Sequence, residues 1–294
     1  MSRSSLLAYV ITLSVVAVTG CSTTGDASQA EFFALDEDRL YYEVSGQGFP
    51  LVLVSGGSGM DLRQWDLITP ALAQTYRVIR YDPRGIGKSD NPSVRYSDAA
   101  DLNNLLDHLG LDRVGLIGLS SAGGFVLEFA IQYPDRITGL VAAAPFVAGF
   151  EFSDVMMARL DLFNQAAGRG REPFLDRMFE DSHFIPAPLN RSVRTTAREI
   201  MAYNFDKGAG FDPGLPIRLA PPLIEQLRHI SSPVLLLAGE LDHPEVLRRN
   251  KFLAAQIRSA DEKIIVNAGH NGPLENPAAF LDAMHSFLDT ITRE

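Results

Sequence analysis

Three short segments carry residue types that could act together as nucleophile, base and acid. Gly118-Leu119-Ser120-Ser121-Ala122-Gly123-Gly124 follows an apolar run and precedes a segment of helical period, so the chain must turn sharply there. A strand-to-helix turn that tight forces its central residue into a strained conformation and needs small residues on both sides. Ser120 meets that requirement with Gly118 and Ala122, whereas a register centred on Ser121 does not. A serine hydroxyl is a poor nucleophile until an imidazole takes its proton. A carboxylate then fixes the imidazole tautomer and stabilises the imidazolium. Asp242, in Gly239-Glu240-Leu241-Asp242, and His270, in Gly269-His270, each follow a later apolar run. Glu240 and His243 are close rivals to Asp242 in sequence, with a surface charge as the plain alternative for either, His243 above all. The serine turn has no lysine and no G-x-G-x-x-G, which disfavours a phosphate loop. With no HExxH, cysteine cluster or histidines at ligand spacing, no metal is expected and no cofactor is implied.

Elements must hold these turns in place. Short apolar runs alternate with helix-period segments, the pattern of βαβ units and a mostly parallel sheet. The predicted strands are Leu40–Val44, Leu51–Val54, Arg77–Tyr81, Val114–Ile117, Ile137–Ala142, Val234–Leu237 and Lys263–Val266. The last five lack alternation, as expected of strands buried on both faces. Leu102, Leu105, Leu106 and Leu109 recur at helical spacing, with Ser97 as N-cap and Gly110 as stop. Val126–Tyr133 predicts a second helix ended by Pro134, and Ala278–Ile291 a closing one.

Between about Phe146 and Ser231 the strands vanish, and helix-like stretches rich in Phe, Met and Arg appear, broken by prolines. The expected organisation is a sheet domain of residues 32–145 and 232–294 with a helical cap, 146–231, inserted. Residues such as Phe152, Met156, Phe163 and Met178 are expected mostly to pack the cap onto the core. Arg191, Arg194 and Arg198 recur at helical spacing, as a solvated face or a carboxylate-binding site. His183 is a candidate to meet substrate; His108, His229 and His285 are expected to have no chemical role.

Taken together, the segments resemble the α/β-hydrolase fold family. Gly118–Ala122 resembles its nucleophile elbow, G-x-S-x-G, with Ala122 at the second small position. Tyr133-Pro134-Asp135-Arg136-Ile137 falls where the family's YPxRV-like element sits. Leu51-Val52-Leu53-Val54-Ser55-Gly56-Gly57-Ser58-Gly59 resembles the family's strand and HGGPG-type loop, with Ser55 where histidine is usual. In that family backbone N–H groups meet a developing oxyanion, each worth roughly 10²–10³ in rate. The resemblance implies Gly57 and Ser121 as the two donors. Asp82-Pro83-Arg84-Gly85-Ile86-Gly87-Lys88-Ser89 matches D-x-R-G-x-G-x-S, a bracing element. Asp242 falls in the family's G-x-x-D pattern and His270 in GHxxxxExP, which runs on to Glu275 and Pro277. The order Ser120, Asp242, His270 is the family's order. The implied fold is α/β: a mostly parallel central sheet flanked by helices, with an inserted helical cap.

This superfold hosts many reactions, so the resemblance fixes the triad more closely than the substrate. The expected activity is hydrolysis of a carboxylic ester or lactone of a small to medium hydrophobic substrate through an acyl-enzyme. The loop Ser55-Gly56-Gly57-Ser58-Gly59 also suggests a proline iminopeptidase-like aminopeptidase, although Ser121 replaces the tryptophan usual there. A carbon–carbon bond hydrolase and a cofactor-free haloperoxidase-like enzyme stand as further alternatives. Relatives acting on epoxides or carbon–halogen bonds carry aspartate where this chain has Ser120. A non-catalytic binding lipoprotein would have no need of all three residues in order.

The bulk numbers fit. Of 294 residues, 46% are hydrophobic and 21% charged, an ordinary globular balance. A net charge of −10 disfavours nucleic acid as a partner. At the N-terminus, Arg3 precedes the apolar run Leu6–Val18, which is shorter than the roughly 20 residues a bilayer span needs. It ends in Val18-Thr19-Gly20-Cys21, which resembles the lipobox of bacterial lipoproteins. The resemblance implies removal of residues 1–20 and a diacylglyceryl group on Cys21. A plain secretory peptide is the alternative. Cys21 is the only cysteine, so no intramolecular disulfide can form. Residues 21–31 are small, polar and flexible, a tether between lipid and enzyme. Ser22 after the cysteine resembles lipoproteins sent to the outer membrane. The expected partners are a small-molecule substrate and the membrane on the periplasmic side of the envelope, with oligomeric state left open.

Overall fold

The computed structural model describes residues 29–56, 59–185, 191–208 and 214–292. The expected signal segment, Cys21 with the expected tether as far as residue 28, and Gly57 lie outside these residues. Eight strands form one sheet: β1 Gln29–Leu35, β2 Asp38–Ser45, β3 Phe49–Val54, β4 Tyr76–Tyr81, β5 Val114–Leu119, β6 Ile137–Ala143, β7 Val234–Gly239 and β8 Ala260–Ile265. Their spatial order is β1-β2-β4-β3-β5-β6-β7-β8. β1 pairs with β2, and β2 with β4, antiparallel. Every other neighbouring pair is parallel.

Two departures from the sequence pattern sit at the edges. β1 is added to the predicted set. Gln29, Ala30 and Glu31, assigned above to the tether, pair with Val44, Glu43 and Tyr42. Its residues are mostly exposed, so no apolar run marks it. β8 is an edge strand with mixed burial, not one covered on both faces.

The helices are α1 Thr69–Leu72, α2 Asp98–His108, α3 Ser121–Gln132, α4 Asp154–Gly168, α5 Arg171–Glu180, α6 Arg191–Asp206, α7 Leu223–Gln226, α8 Pro244–Gln256, α9 Gly272–Glu275 and α10 Pro277–Ile291. Ser97 caps α2 by accepting from the Ala100 N–H, and Gly110, at φ 65°, follows its C-terminus, both as the pattern predicts. Alternate residues of the central strands face opposite layers. Val52, Val54, Leu116 and Leu236 pack with α2 and α3 residues such as Leu102 and Phe129. Leu51, Leu53, Ile117 and Leu237 pack with α10 residues such as Phe280 and Met284. A third apolar cluster joins α4, α5 and α6 through Phe163, Met178 and Met201, and reaches the sheet domain at Met60 and Leu274. These inserted helices, between β6 and β7, roof the C-terminal ends of the parallel strands. The connections leaving those ends therefore converge beneath the roof.

Candidate active site

Ser120 stands between β5 and α3 at φ 60° and ψ −118°. That region is sparsely populated for a residue with a side chain, at a cost of order 1–3 kcal/mol. The surroundings hold it there. Its N–H donates to the Ala143 carbonyl at 2.8 Å, and its own carbonyl accepts from Gly124 at 3.0 Å and Phe146 at 2.8 Å. The turn closes because its neighbours are small. A Cβ at Gly118 would lie 2.3 Å from the Ala122 carbonyl oxygen, and one at Gly124 would lie 1.8 Å from that of Phe146. Ser121 opens α3, and first-turn N–H groups have no partner within their own helix.

Asp242 and His270 come from the turns after β7 and β8 and meet directly, with Nδ1 of His270 2.9 Å from Oδ2 of Asp242. Asp242 is 3% exposed, and its Oδ1 accepts the backbone N–H of His243. Ser120, Asp242 and His270 line one cavity of about 350 Å³, with Ser121 also in its wall. Its other walls are largely apolar, with Phe146, Phe152, Met156, Phe163 and Met178 among them. A pocket that is mostly apolar with a few convergent polar groups is the usual form of a small-molecule site. Gly57, the other oxyanion donor implied by the resemblance, lies outside the described residues. Ser55, just before that loop, is buried, and its hydroxyl has no partner among the described residues.

Several residues brace the turns. Glu275 accepts the N–H groups of Gly269 at 2.8 Å and Asn271 at 2.7 Å, so one carboxyl holds both sides of His270. Burial, only partly offset by those two bonds, pushes its pKa up to about 7. Asp82 does the same for the glycine loop that follows β4, accepting from Leu62 N–H at 2.8 Å and Lys88 N–H at 3.0 Å. Burial and the neighbouring Asp61 charge raise it to about 7 as well. Arg84 is buried against Asp101 and Asp38. Arg136, in the YPxRV-like element, ties the carbonyls of Leu111 and Asp112.

The neighbouring candidates fall into place differently. Glu240 is exposed and accepts the Asn267 N–H at 3.0 Å, away from the imidazole. His243 is not a surface charge. It is half-buried, caps α8 by accepting from Glu245 N–H at 3.2 Å, and packs edge-on against His183 with centroids 5.1 Å apart. Burial, with help from Arg159 and His183, lowers its pKa, in keeping with a ring nitrogen that accepts a hydrogen bond. His183 is not in the cavity wall; its carbonyl accepts the His270 N–H at 3.0 Å, and its Nδ1 lies 3.0 Å from the Leu241 carbonyl. It thus touches both the turn that carries His270 and the turn that carries Asp242. Arg194 donates to the carbonyls of Ile185 and Phe179, and Arg198 pairs with Glu172 and Asp176. Neither lines the Ser120 cavity, and nor does Arg191. Several cavity residues escape sequence reasoning, Asn204 and Arg249 among them. Asn204 reads as one polar position on a helix and Arg249 as one charge on another, and no local signal marks either as buried.

Comparisons with known proteins agree with this fold. A family model described as the alpha/beta hydrolase fold matches residues 50–277. The chain is 28% identical over 282 residues to 2-hydroxy-6-oxononadienedioate/2-hydroxy-6-oxononatrienedioate hydrolase 2 of Pseudomonas putida, covering 90% of this chain and 97% of that one. A soluble epoxide hydrolase of Corynebacterium sp. (strain C12) is 36% identical over 105 residues, 35% of this chain and 36% of its own length. Among solved structures, a thermophilic esterase from Thermogutta terrifontis superposes with a TM-score of 0.74 at 24% identity, covering 90% of this chain and 99% of the other.

Proposed function

This chain belongs to the α/β hydrolase fold family, and within it we propose a serine hydrolase that cleaves a carboxylic ester or lactone of a small to medium hydrophobic substrate through an acyl-enzyme. The observation that carries the reading is the strained Ser120 turn, opening into the same cavity as a His270 that is hydrogen-bonded to buried Asp242. In the proposed sequence, His270 Nε2 takes the hydroxyl proton while Ser120 Oγ bonds to the acyl carbon. The carbonyl electron pair moves onto its oxygen, which meets the N–H groups of Ser121 and Gly57. The tetrahedral species collapses, the alcohol oxygen leaves with the proton held by His270, and the acyl group stays on Ser120. Water repeats the steps and frees the acid. Asp242 remains ionised throughout, keeping the Nδ1 proton in place and balancing the imidazolium.

The second reading is carbon–carbon hydrolysis. The Pseudomonas putida relative is named for a 6-oxo dienedioate, and hydrolysis beside a ketone of that kind breaks a carbon–carbon bond. The same triad serves either reaction. A partial likeness to an epoxide hydrolase weighs less, because the elbow carries a serine, not a carboxylate.

The proposal extends to the envelope. Residues 1–20 would be removed, Cys21 lipidated, and the enzyme held on the periplasmic side by its tether, with 32–145 and 232–294 as core and 146–231 as cap. The lipobox-like run Val18-Thr19-Gly20-Cys21 supports this.

Steady-state rates on short p-nitrophenyl esters, set against aminoacyl p-nitroanilides, test the reaction class. Fluorophosphonate labelling tests the nucleophile. Ester turnover with labelling lost in Ser120→Ala and kept in Ser121→Ala is the expected result. Preferred cleavage of the anilides would move the assignment to an aminopeptidase.

A further inference from the structure

Two cationic side chains in the cavity wall have no part in the steps above, and one of them, Arg159, is already paired with Asp181 at 2.7 Å. Arg249, on α8, is 2% exposed yet lines the same cavity as Ser120 and His270, beside Val246 one turn earlier. Its Nη2 donates to the Ala144 carbonyl at 3.3 Å, while its Nε is buried without a partner among the described residues. The two carboxylates whose charge it feels are Asp242 and Glu245, and both are engaged elsewhere. Asp242 accepts from His270 and from the His243 N–H. Glu245 accepts two bonds from Arg248 and one from the Ser153 N–H. The rings of Phe150 and Phe152 lie 6.0 and 5.7 Å from the guanidinium carbon, so its surroundings are aromatic. Burial pushes its pKa down to about 10, which leaves it cationic at neutral pH.

A buried cation with an unmet donor is costly, and a fold that keeps one at the edge of a cavity has a place for an anion to complete it. Guanidinium suits a carboxylate best, since its planar donors match the two carboxylate oxygens. Ala144 follows Ala143, whose carbonyl fixes the Ser120 N–H, so the guanidinium is anchored on the same short segment as the elbow. The geometry points to Arg249 as the residue that recognises a free carboxylate on the substrate. The ester or lactone would then be a half-ester of a dicarboxylic acid or a carboxylated lactone, its chain between apolar walls and its anionic end at Arg249. This rests on acyl hydrolysis at Ser120, so the test includes an arm that needs no turnover.

The first arm compares mono-p-nitrophenyl glutarate with p-nitrophenyl valerate, which puts a methyl in place of the distal carboxylate. The wild-type enzyme is expected to favour the glutarate in kcat/KM by on the order of 10- to 100-fold, the range of a charge-assisted hydrogen bond. Arg249→Met should collapse that ratio and Arg249→Lys should keep part of it. The ratio cancels any general loss of activity, so a purely structural role for Arg249 would leave it unmoved. The second arm titrates free glutarate calorimetrically, with binding to wild type expected to weaken at least tenfold in Arg249→Met. Wild-type preference for valerate, a ratio unchanged in Arg249→Met, or glutarate binding indifferent to that substitution would overturn the inference. Arg249-dependent glutarate binding with neither ester hydrolysed would sustain it and sink the ester reading instead.

Discussion

A Cβ placed on Gly239 would lie 2.0 Å from the carbonyl oxygen of Gly269 and 2.4 Å from that of Ala268. The last residue of β7 is therefore in backbone contact with the residue before His270. Asp242, three residues after Gly239, reaches His270 at 2.9 Å only because the two turns close to that degree. The Asp242–His270 contact thus depends on a glycine that brings no side chain of its own and whose carbonyl accepts the Asp242 N–H at 3.1 Å.

The first prediction is a direct consequence. Gly239→Ala must push the two turns apart by more than an ångström, because the obstacle is backbone and cannot rotate away. A misplacement of that size costs about 10²-fold in rate. We expect kcat to drop by that order while the fluorophosphonate still reacts slowly with Ser120. Full activity in this variant would show that the separation of the turns is not critical.

Asp242→Asn should lower kcat by about 10⁴, the effect of leaving the imidazole in the wrong tautomer, with the circular dichroism spectrum unchanged. Glu240→Gln should change little, since Glu240 holds only the Asn267 N–H on the outside of the turn. A large loss in Glu240→Gln with a small one in Asp242→Asn would exchange their roles.

Asp82 gives a pH prediction with a definite sign. Its pKa in the folded chain is raised to about 7 from the ordinary 3.8. The folded state therefore binds more protons than the unfolded state between those values. The stability it contributes is whole below about pH 4 and is lost as pH rises through 7. Asp82→Asn removes the titration, so the Tm of wild type minus that of the variant should shrink steadily from pH 4 to 8. A gap that is flat or widening over that range would contradict the buried, raised carboxyl.

Chain length probes the cavity. Apolar walls with flexible methionines should reward each added methylene by up to roughly 0.8 kcal/mol, about fourfold in kcat/KM, until the space of about 350 Å³ is full. For unbranched neutral p-nitrophenyl esters, kcat/KM should rise from acetate, pass a maximum and fall, with long-chain triglycerides poor substrates. A continuous rise through long chains, or activation at a lipid interface, would favour a lipase.

Anchoring has its own test. Wild-type protein should fractionate with membranes and incorporate labelled fatty acid, and Cys21→Ser should abolish the label. A mature N-terminus elsewhere than Cys21, on soluble periplasmic protein, would refute the lipid anchor.

Much of this was legible in the sequence because the relevant physics is local. A serine between Gly118 and Ala122, after a strand and before a helix, has few conformations open to it, and the structure adopts one of them. The central strands were legible as unbroken apolar runs because both faces are covered. β1 was not, since an edge strand with one partner needs no apolar run and its QAEFFAL sequence begins in polar residues. His243 and Arg249 were not either. Each is a common surface residue type, and what buries them is the packing of α8 against the β6 turn and the roof, contacts that link positions about 100 residues apart. His183 drew attention for its ring as a substrate contact, yet the ring meets the Leu241 carbonyl and His243, and its contact with His270 is made by a carbonyl that any residue type supplies.

The bonds made by Asn204 bear on how the site exchanges its contents. Asn204 is fully buried near the end of α6, taking the Gly87 N–H at 2.7 Å and giving its own N–H to Asp61 at 3.0 Å. Lys207, just beyond, donates to the carbonyls of Gly87 and Ser89. The roof is thus tied to the sheet domain near the end of α6, and raising it there would break all these bonds at once, those of the fully buried Asn204 among them. Near the start of the insertion, the Ser153 N–H donates to Glu245 at 3.1 Å and Arg248 donates to the Glu151 carbonyl at 2.7 Å. There Phe146, Val155, Met157 and Leu162 present apolar surface to solvent. The insertion is therefore pinned near its start and near its end, and lifting it away from Ser120 would break both sets of bonds together.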